Sequence, residues 1–224
     1  MGRDNAPKER QHKQLERKRE RRASYDRILI VSEGSKTEPN YFGEIRAAYR
    51  LHTANVEVRP SERGTAPIQV VQYAKDLFEQ GDRRKNIQPR AFEQVYAVFD
   101  RDNHESYFDA LRLAESLDRK LKNDARQLIR FQAIASVPCF ELWLLVHYQD
   151  IQAPLQRDEV MHRLEQHIPG YKKGAGGTFA ATRPHLAVAT QRADTLAARF
   201  TADDAPEPFT AIVGLVKLLT SLRG

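Results

Sequence analysis

The sequence has 224 residues and a formal net charge of +6, which suits one domain, with at most a small appended lobe, and excludes a chain too short to bury a core. Its single cysteine, Cys139, excludes an intrachain disulfide framework and a cysteine-rich zinc site, and suits a reducing compartment. No apolar stretch of 18 residues occurs, so we expect a soluble, cytoplasmic protein without a membrane anchor.

Positive charge is concentrated at the amino terminus. Residues 1–27 contain ten Lys and Arg against five Asp and Glu, which leaves the rest of the chain nearly neutral. The run from Lys8 to Arg22 has one aliphatic residue, Leu15, so it has no apolar face to bury. We therefore predict a basic flexible leader at 1–26, which is either a nucleic-acid arm or a solvated tail.

Strands and helices alternate after the leader. The apolar patterns predict strands at 28–31, 55–59, 94–99 and 129–135, and helices at 37–49, 68–78, 106–121 and 138–148. This alternation predicts an α/β domain at 27–150, with a mainly parallel four-stranded sheet flanked by helices. The second strand alternates apolar and charged residues, which favours a position near the edge of the sheet.

The last third of the sequence, at 151–224, is predicted to be helical. Helical patterns cover 157–167, 183–199 and 209–223, and no convincing strand pattern remains. The segment 170–177 contains four glycines and two lysines, so we expect a mobile loop there.

Three acidic residues follow two of the predicted strands. Glu33 comes after the first strand, and Asp100 and Asp102 come after the third. The carboxyl ends of parallel strands meet where open α/β sheets bind ligands, and several carboxylates together need a cation. If the chain stays extended through Arg101, the two aspartates point to the same side, although Asp102 is also placed to cap the next helix. Oxygen ligands without a His or Cys set favour Mg²⁺, with Mn²⁺ as a substitute.

Other charged residues fit the surroundings of such a centre. Glu141 lies in an apolar helical segment, where a charge is costly to bury alone, so it either faces solvent or approaches a cation. Cations at the rim of a carboxylate–metal centre would offset its negative charge toward a phosphodiester. Six basic residues are candidates for this nucleic-acid contact, although each alone is also typical of a solvated surface: Lys36, Arg59, Arg63, Arg101, Lys172 and Lys173.

Three blocks of the sequence carry a resemblance to a known family. They are VSEGSKTEPNYF at 31–42, FDRD at 99–102 and PCFELWLLVHY at 138–148. Together these blocks resemble the RloB-like family. A strand followed by Glu-Gly, and a later strand followed by Asp-x-Asp, is also similar to the Toprim domain of topoisomerases, bacterial primases and several nucleases. In that domain the Glu supports acid–base chemistry and the Asp pair holds Mg²⁺. The resemblance spans about residues 27–150 and extends weakly to the end.

The resemblance implies a Toprim-like fold and a Mg²⁺-dependent nuclease of bacterial or archaeal anti-phage defence, often encoded beside an ATPase. It assigns the metal ligands to Glu33, Asp100 and Asp102, with Glu33 either a ligand or the acid–base group. Glu38 and Glu141 match acidic positions of the RloB-like blocks, and we include Glu141 in the catalytic set. Ser32 departs from the related motif, in which this place often holds another acid.

Two other functions fit the same residues. One is nucleotidyl or phosphoryl transfer, as in primase-type Toprim proteins. The other is a module that binds nucleic acid or a nucleotide without hydrolysis and regulates a partner ATPase. A phosphatase with an Asp nucleophile is less consistent with the sequence. In that class the Asp-x-Asp motif follows the first strand, whereas the first predicted strand of this chain is followed by Glu33.

The chain has no glycine-rich ATP loop, so ATP dependence would come from the partner. The sequence leaves open DNA or RNA, possibly tRNA, as substrate, and the oligomeric state.

Overall fold

The computed structural model describes residues 25–222, so the predicted leader at 1–26 lies almost entirely outside the described residues. The described chain forms a five-stranded sheet with the order β2-β1-β3-β4-β5. All neighbouring strands are parallel except β4 and β5, which are antiparallel. The strands are β1 (Ile28–Ser32), β2 (Val56–Pro60), β3 (Gln94–Asp100), β4 (Arg130–Val137) and β5 (Phe209–Thr210). The predicted α/β fold with a mainly parallel sheet is confirmed, and β2 lies at an edge.

The fifth strand corrects the four-stranded prediction. β5 pairs with the end of β4, and the hydroxyl groups of Ser136 and Thr210 lie 3.3 Å apart. A helix was predicted to begin at 209, but the helix begins only at Ile212. A two-residue strand is too short to produce the alternation by which strands are recognised in a sequence. The carboxyl-terminal region is therefore joined to the sheet by backbone hydrogen bonds.

Helices flank the sheet on both faces and make up most of the carboxyl-terminal region, as predicted. None of the helices within residues 25–222 combines the length and apolar character needed to cross a bilayer. Two short 3-10 turns cover Arg183–His185 and Ala202–Asp204. The α-helices are α1 (Thr37–Ala48), α2 (Pro67–Gln80), α3 (Tyr107–Leu117), α4 (Glu141–Leu145), α5 (Arg157–His167), α6 (Thr178–Thr182), α7 (Leu186–Ala197) and α8 (Ile212–Ser221).

The central strands are buried on both faces, which explains why their sequences are continuously apolar. Leu29 and Val31 of β1 contribute to a core with α2 and α3. Ile28 and Ile30 contribute to the opposite core, with α1 and the helices that follow β4. There the buried Trp143 indole donates a hydrogen bond of 2.8 Å to the Tyr41 hydroxyl. The first helix and the later helices thus share one face.

The glycine-rich segment 170–177, expected to be mobile, is tied to α1. The Gly174 N–H donates to the Thr37 hydroxyl at 2.9 Å, and the Asn40 side chain donates to the Gly174 carbonyl at 3.0 Å. The Gly177 N–H donates to the Glu44 carboxylate at 2.6 Å. These contacts hold the segment over the start of α1, close to the carboxyl ends of β1 and β3.

Candidate metal centre

The turn between β1 and α1 places Glu33 across the end of the neighbouring strand β3. The Glu33 N–H donates to the Val98 carbonyl at 2.8 Å. Its carboxylate Oε2 accepts the backbone N–H of Asp100 at 3.0 Å. One carboxylate oxygen is therefore held by the main chain, and Oε1 is left to face the neighbouring side chains.

Three side chains, which we call the outer cluster, come together at this edge of the sheet: Glu33, Asp102 and His104. One potential ligand atom from each lies within 4.8 Å of those of the other two. The His104 Nε2 is 3.7 Å from the Glu33 Oε1, and the Arg157 guanidinium forms an ion pair with Asp102. Two carboxylates and an imidazole at this spacing can hold a metal ion.

Asp100 and Asp102 occupy different surroundings, because the chain does not stay extended between them. β3 ends at Asp100, and Asp102 has a φ of 35°, in the left-handed region that Asp tolerates better than most residues. The Asp102 N–H donates to the Pro138 carbonyl at 3.0 Å, which fixes this turn. The outer cluster consequently shares Glu33 and Asp102 with the predicted ligand set, and contains His104 where Asp100 was expected.

A second group of acids, which we call the inner cluster, consists of Glu38, Asp100 and Glu141. These residues are 5%, 6% and 1% exposed, so all three are buried. Glu38 lies in the first turn of α1, Asp100 ends β3, and Glu141 begins α4. Gly34 makes room for Glu38, since a Cβ at position 34 would lie 1.9 Å from the Glu38 Oε2. Three separate elements thus bring carboxylates into the protein interior.

Burial and neighbouring negative charges make Glu38 and Asp100 hold their protons more tightly. Burial raises the pKa of Glu38 to about 7, with further contributions from the Glu141 and Glu33 charges. Burial also raises the pKa of Asp100 well above its usual range, and the charge of Glu38 adds to this effect. The pKa of Glu33 is raised by burial as well. Glu33, Glu38 and Asp100 therefore each favour either a proton or a nearby positive charge.

Glu141 approaches a cation, which decides between the two alternatives that its sequence context left open. The Lys173 Nζ lies 3.2 Å from the Glu141 Oε1, and the Tyr171 hydroxyl donates to the same oxygen at 3.4 Å. The other oxygen, Oε2, is buried and has no hydrogen-bond partner among the described residues. Loop 170–177 therefore satisfies one oxygen of this carboxylate and leaves the second one without a donor.

A cavity of about 590 Å³ adjoins the outer cluster. This volume is in the range of ligand-binding clefts. Its lining comes from the turn after β1, from the turn after β3, from the residue that follows β4 and from the start of α5, so four separate parts of the chain enclose it. The lining residues are Glu33, Asp102, Asn103, His104, Pro138, Gln156, Arg157 and Asp158.

Of the six predicted phosphate contacts, Lys173 is the one whose side chain forms an ion pair with either cluster among the described residues. Arg59 pairs with Glu57 of its own strand at 2.6 Å. Arg63 pairs with Asp76 of α2. These two arginines are therefore already engaged by neighbouring acids away from both clusters.

The remaining three basic residues lie near the clusters but do not contact their carboxylates in the described part of the chain. Arg101 donates to the Asp102 carbonyl at 3.0 Å, and its guanidinium carbon lies 5.3 Å from the centre of the Tyr107 ring. Lys36 and Lys172 are exposed, at the start of α1 and in loop 170–177. Their position leaves both free to reach a ligand from solvent.

The sequence interpretation did not include His104 or Arg157. His104 follows Asp102 by two residues, so the spacing Asp-x-His offered a local signal. Arg157 is 55 residues from Asp102 and reaches it only because the fold brings the start of α5 beside the turn that follows β3. No local pattern could have identified that contact.

Comparison with known proteins places the chain in a family. The model of the RloB-like protein family matches residues 28–219, which include the sheet and every residue of both clusters. The chain belongs to the RloB-like family. No curated protein and no solved structure matches it.

Proposed function

We propose that this member of the RloB-like family is a metal-dependent nuclease that hydrolyses phosphodiester bonds in nucleic acid. The observation that carries the proposal is the outer cluster, in which Glu33, Asp102 and His104 offer ligand atoms within 4.8 Å of one another. The cluster lies at the carboxyl end of the strands and borders the cavity of about 590 Å³. The resemblance of the Glu and Asp-x-Asp motifs to Toprim nucleases supports this choice of reaction.

The donor set of the outer cluster suits a divalent cation. Glu33 and Asp102 supply carboxylate oxygens, and His104 supplies an imidazole nitrogen. We assign Mg²⁺ as the resident ion, with Mn²⁺ as a substitute that also accepts nitrogen ligands. Such an ion, when bound, lowers the pKa of a water molecule and offsets charge on phosphoryl oxygens.

Arg157 is placed to bind the substrate phosphate. Its side chain is 43% exposed, lines the cavity and forms an ion pair with Asp102. A guanidinium carries five N–H donors, so it retains donors for phosphate oxygens beyond those that Asp102 accepts. Lys173 provides a second positive charge beside the inner cluster. Together they offset negative charge where a phosphodiester approaches the carboxylates.

Glu33 has two possible roles, which one variant separates. Its Oε2 is held by the Asp100 N–H, and its Oε1 faces His104. Its raised pKa also suits a group that accepts a proton from an attacking water molecule. Loss of Mn²⁺ binding in E33Q, measured by calorimetry, assigns Glu33 as a ligand. Retained Mn²⁺ binding with slow cleavage and an altered pH–rate profile assigns it to proton transfer.

The nuclease proposal is tested by incubating the protein with labelled phage DNA and with total tRNA, in Mg²⁺ and in EDTA. We expect cleavage in Mg²⁺ that EDTA abolishes, and a loss of about 100-fold or more in D102N. The matched control is D109N, which changes an exposed aspartate of α3 that pairs with Arg112.

Two results would contradict the proposal. One is full activity in a folded D102N protein. The other is metal-dependent binding of nucleic acid with no turnover of any substrate, which would identify a binding module. Labelled nucleoside triphosphates in the same reactions detect nucleotidyl transfer, the remaining alternative.

We further propose a cytoplasmic role in anti-phage defence, with an ATPase encoded alongside as the partner. The resemblance to RloB-like defence proteins supports the role, and the absence of a glycine-rich ATP loop from the sequence leaves ATP hydrolysis to a partner. Phage plaque counts on cells with the wild-type gene pair, the D102N pair or the nuclease gene alone test this setting. Equal plaque counts in all three would contradict it.

A further inference from the structure

We infer that the end of the sheet opposite the candidate metal centre is a nucleic-acid-binding surface, which contacts phosphates far from the cleavage site. Two loops that precede strands form this surface, 81–93 before β3 and 118–129 before β4. Its effect on substrate choice rests on the proposed nuclease function, whereas binding itself is measured without cleavage. Seven exposed cations of these loops, which we call the basic face, carry the inference: Arg83, Arg84, Arg90, Arg119, Lys120, Lys122 and Arg126.

The first support is an uneven distribution of charge along the chain. The two loops contain eight Lys and Arg against four Asp and Glu, whereas residues 25–222 as a whole contain 26 of each. The rest of the described chain is therefore net negative. Positive charge that is concentrated at one end of such a body attracts a polyanion to that end.

The second support is that the acids of the two loops are already engaged, whereas the cations of the basic face are not. No residue of the basic face forms an ion pair with any acid among residues 25–222. The positive charge of the face is therefore available to phosphate groups. Each of the four acids has a partner in the described chain: Asp82 pairs with Lys85, Glu93 and Asp124 pair with Arg27, and Asp118 accepts the Phe131 N–H.

The third support is the rigid main chain that carries these cations. The Asp124 N–H donates to the Arg90 carbonyl at 2.8 Å, which joins the two loops. Arg90, Arg119 and Arg126 have φ values of 54°, 54° and 62°, in the left-handed region that is costly for a residue with a Cβ. Main-chain hydrogen bonds maintain these turns, such as that from the Arg119 N–H to the Ile129 carbonyl at 3.1 Å. The loops therefore present the arginines from fixed positions.

The composition of the two loops favours nucleic acid over an acidic protein as the partner. Their one large exposed apolar side chain in the described structure is Leu128, at 52%. Protein interfaces are enriched in aromatic residues and depleted of Lys, whereas interfaces with nucleic acid are more polar and more positively charged. The basic leader also joins β1 at this end of the sheet, and its residues 1–24 contain nine Lys and Arg against four Asp and Glu.

The position of the basic face sets a minimum length for a substrate that it holds. The outer cluster lies at the carboxyl end of β3 and the basic face at its amino end, and the seven residues of this strand span about 20 Å. A duplex covers this distance in about six base pairs, at roughly 3.4 Å for each. The basic face thus makes the proposed nuclease prefer long or folded nucleic acids over short oligonucleotides.

The test measures binding of the full chain, in EDTA, to a labelled DNA duplex of about 30 base pairs and to tRNA, by fluorescence anisotropy at several salt concentrations. The combined variant R119Q, K122Q and R126Q removes three cations of the basic face. We expect its affinity to fall by about 10-fold or more, and the slope of log affinity against log salt to become shallower by about two to three. A loss with DNA alone or with tRNA alone identifies which nucleic acid the surface holds.

A matched control and a second variant separate the basic face from net charge and from misfolding. The control R112Q, R163Q and K217Q also removes three charges, from cations that pair with acids outside the two loops, and should bind as the wild type does. The variant R83Q and R84Q leaves the left-handed turns unchanged and should weaken binding by about 5-fold. Circular dichroism establishes that each variant is folded.

Each result supports or overturns the inference. Wild-type affinity and salt dependence in both folded basic-face variants would overturn it, as would an equal loss in the control or no binding to the wild type. Weaker binding in the basic-face variants, together with no cleavage of any nucleic acid, would support the surface and contradict the nuclease proposal. Mg²⁺-dependent cleavage with unchanged binding in these variants would overturn the surface and leave the nuclease proposal intact.

Discussion

The inner and outer clusters lie at the same edge of one sheet, yet they differ in exposure and in ligand chemistry. In the outer cluster the side chains of Glu33, Asp102 and His104 are 14%, 14% and 31% exposed and border a cavity. The inner cluster is almost completely buried and contains carboxylates alone. The outer cluster is therefore accessible from the cavity, whereas the inner cluster is enclosed by the protein.

One turn of the backbone produces this difference. Asp100 and Asp102 are two residues apart, but the left-handed conformation of Asp102 directs the two residues into separate clusters. Loop 170–177 covers the inner cluster with Lys173 and Tyr171, and α5 brings Arg157 to the outer one. Each cluster thus has its own internal cation, which an added metal ion would have to displace or share.

The largest expected effect concerns the inner cluster and pH. The pKa of Glu38 is raised from 4.5 to about 7, so the folded protein binds this proton more tightly than the unfolded chain does. The resulting stabilisation is fully present below about pH 4.5 and is lost as the pH rises through about 7. In EDTA, the Glu38 contribution to the free energy of unfolding should fall by about 3 kcal/mol across this window, whereas buried His147, whose pKa is lowered to about 4, contributes in the opposite direction between about pH 4 and 6.5.

Chemical denaturation between pH 5 and 8 measures this dependence. E38Q should remove the Glu38 contribution, so its stability should fall less with rising pH than that of the wild type. The outer-cluster variant H104Q should keep the slope. The same slope in E38Q as in the wild type would contradict the assignment of this contribution to Glu38.

The second prediction concerns Arg157 and tests whether the outer cluster is the one that meets substrate. R157Q should raise the KM for nucleic acid by about 10-fold, with a smaller change in kcat, because it removes a charge-assisted contact to phosphate. It should also strengthen Mn²⁺ binding, since the guanidinium no longer competes for Asp102.

R163Q is the matched control for this change. Arg163 lies on the same helix and pairs with Glu159, away from the cavity, so its replacement should alter neither KM nor Mn²⁺ affinity. Steady-state kinetics and fluorescence anisotropy with a labelled oligonucleotide provide the measurements. An unchanged KM in R157Q would show that the guanidinium only neutralises Asp102.

Much of the fold could be predicted because the patterns that mark strands and helices extend over only a few neighbouring residues. The strands β1 and β3 are buried on both faces and therefore appear as apolar runs, and the acids at their ends mark the edge where ligands bind. Glu33 and Asp102, which belong to the outer cluster, were predicted as candidate ligands in this way. The division of the acidic residues between two clusters was not predicted. It depends on the left-handed conformation of Asp102 and on contacts made by α5 and loop 170–177. β5 was missed because two residues carry no periodicity.

The smallest expected effect concerns the imidazole that distinguishes the outer cluster from the inner one. Mn²⁺ accepts nitrogen ligands more readily than Mg²⁺ does, so H104Q should lower the Mn²⁺ affinity of the outer site by about 10-fold and its Mg²⁺ affinity by less. Competition of Mg²⁺ against bound Mn²⁺, followed by electron paramagnetic resonance, measures the ratio of the two affinities at the outer cluster. H162Q, which changes an exposed histidine of α5, is the control. Equal losses for both ions would mean that His104 orients Glu33 rather than binding the cation, and the two clusters would then share the same all-oxygen chemistry.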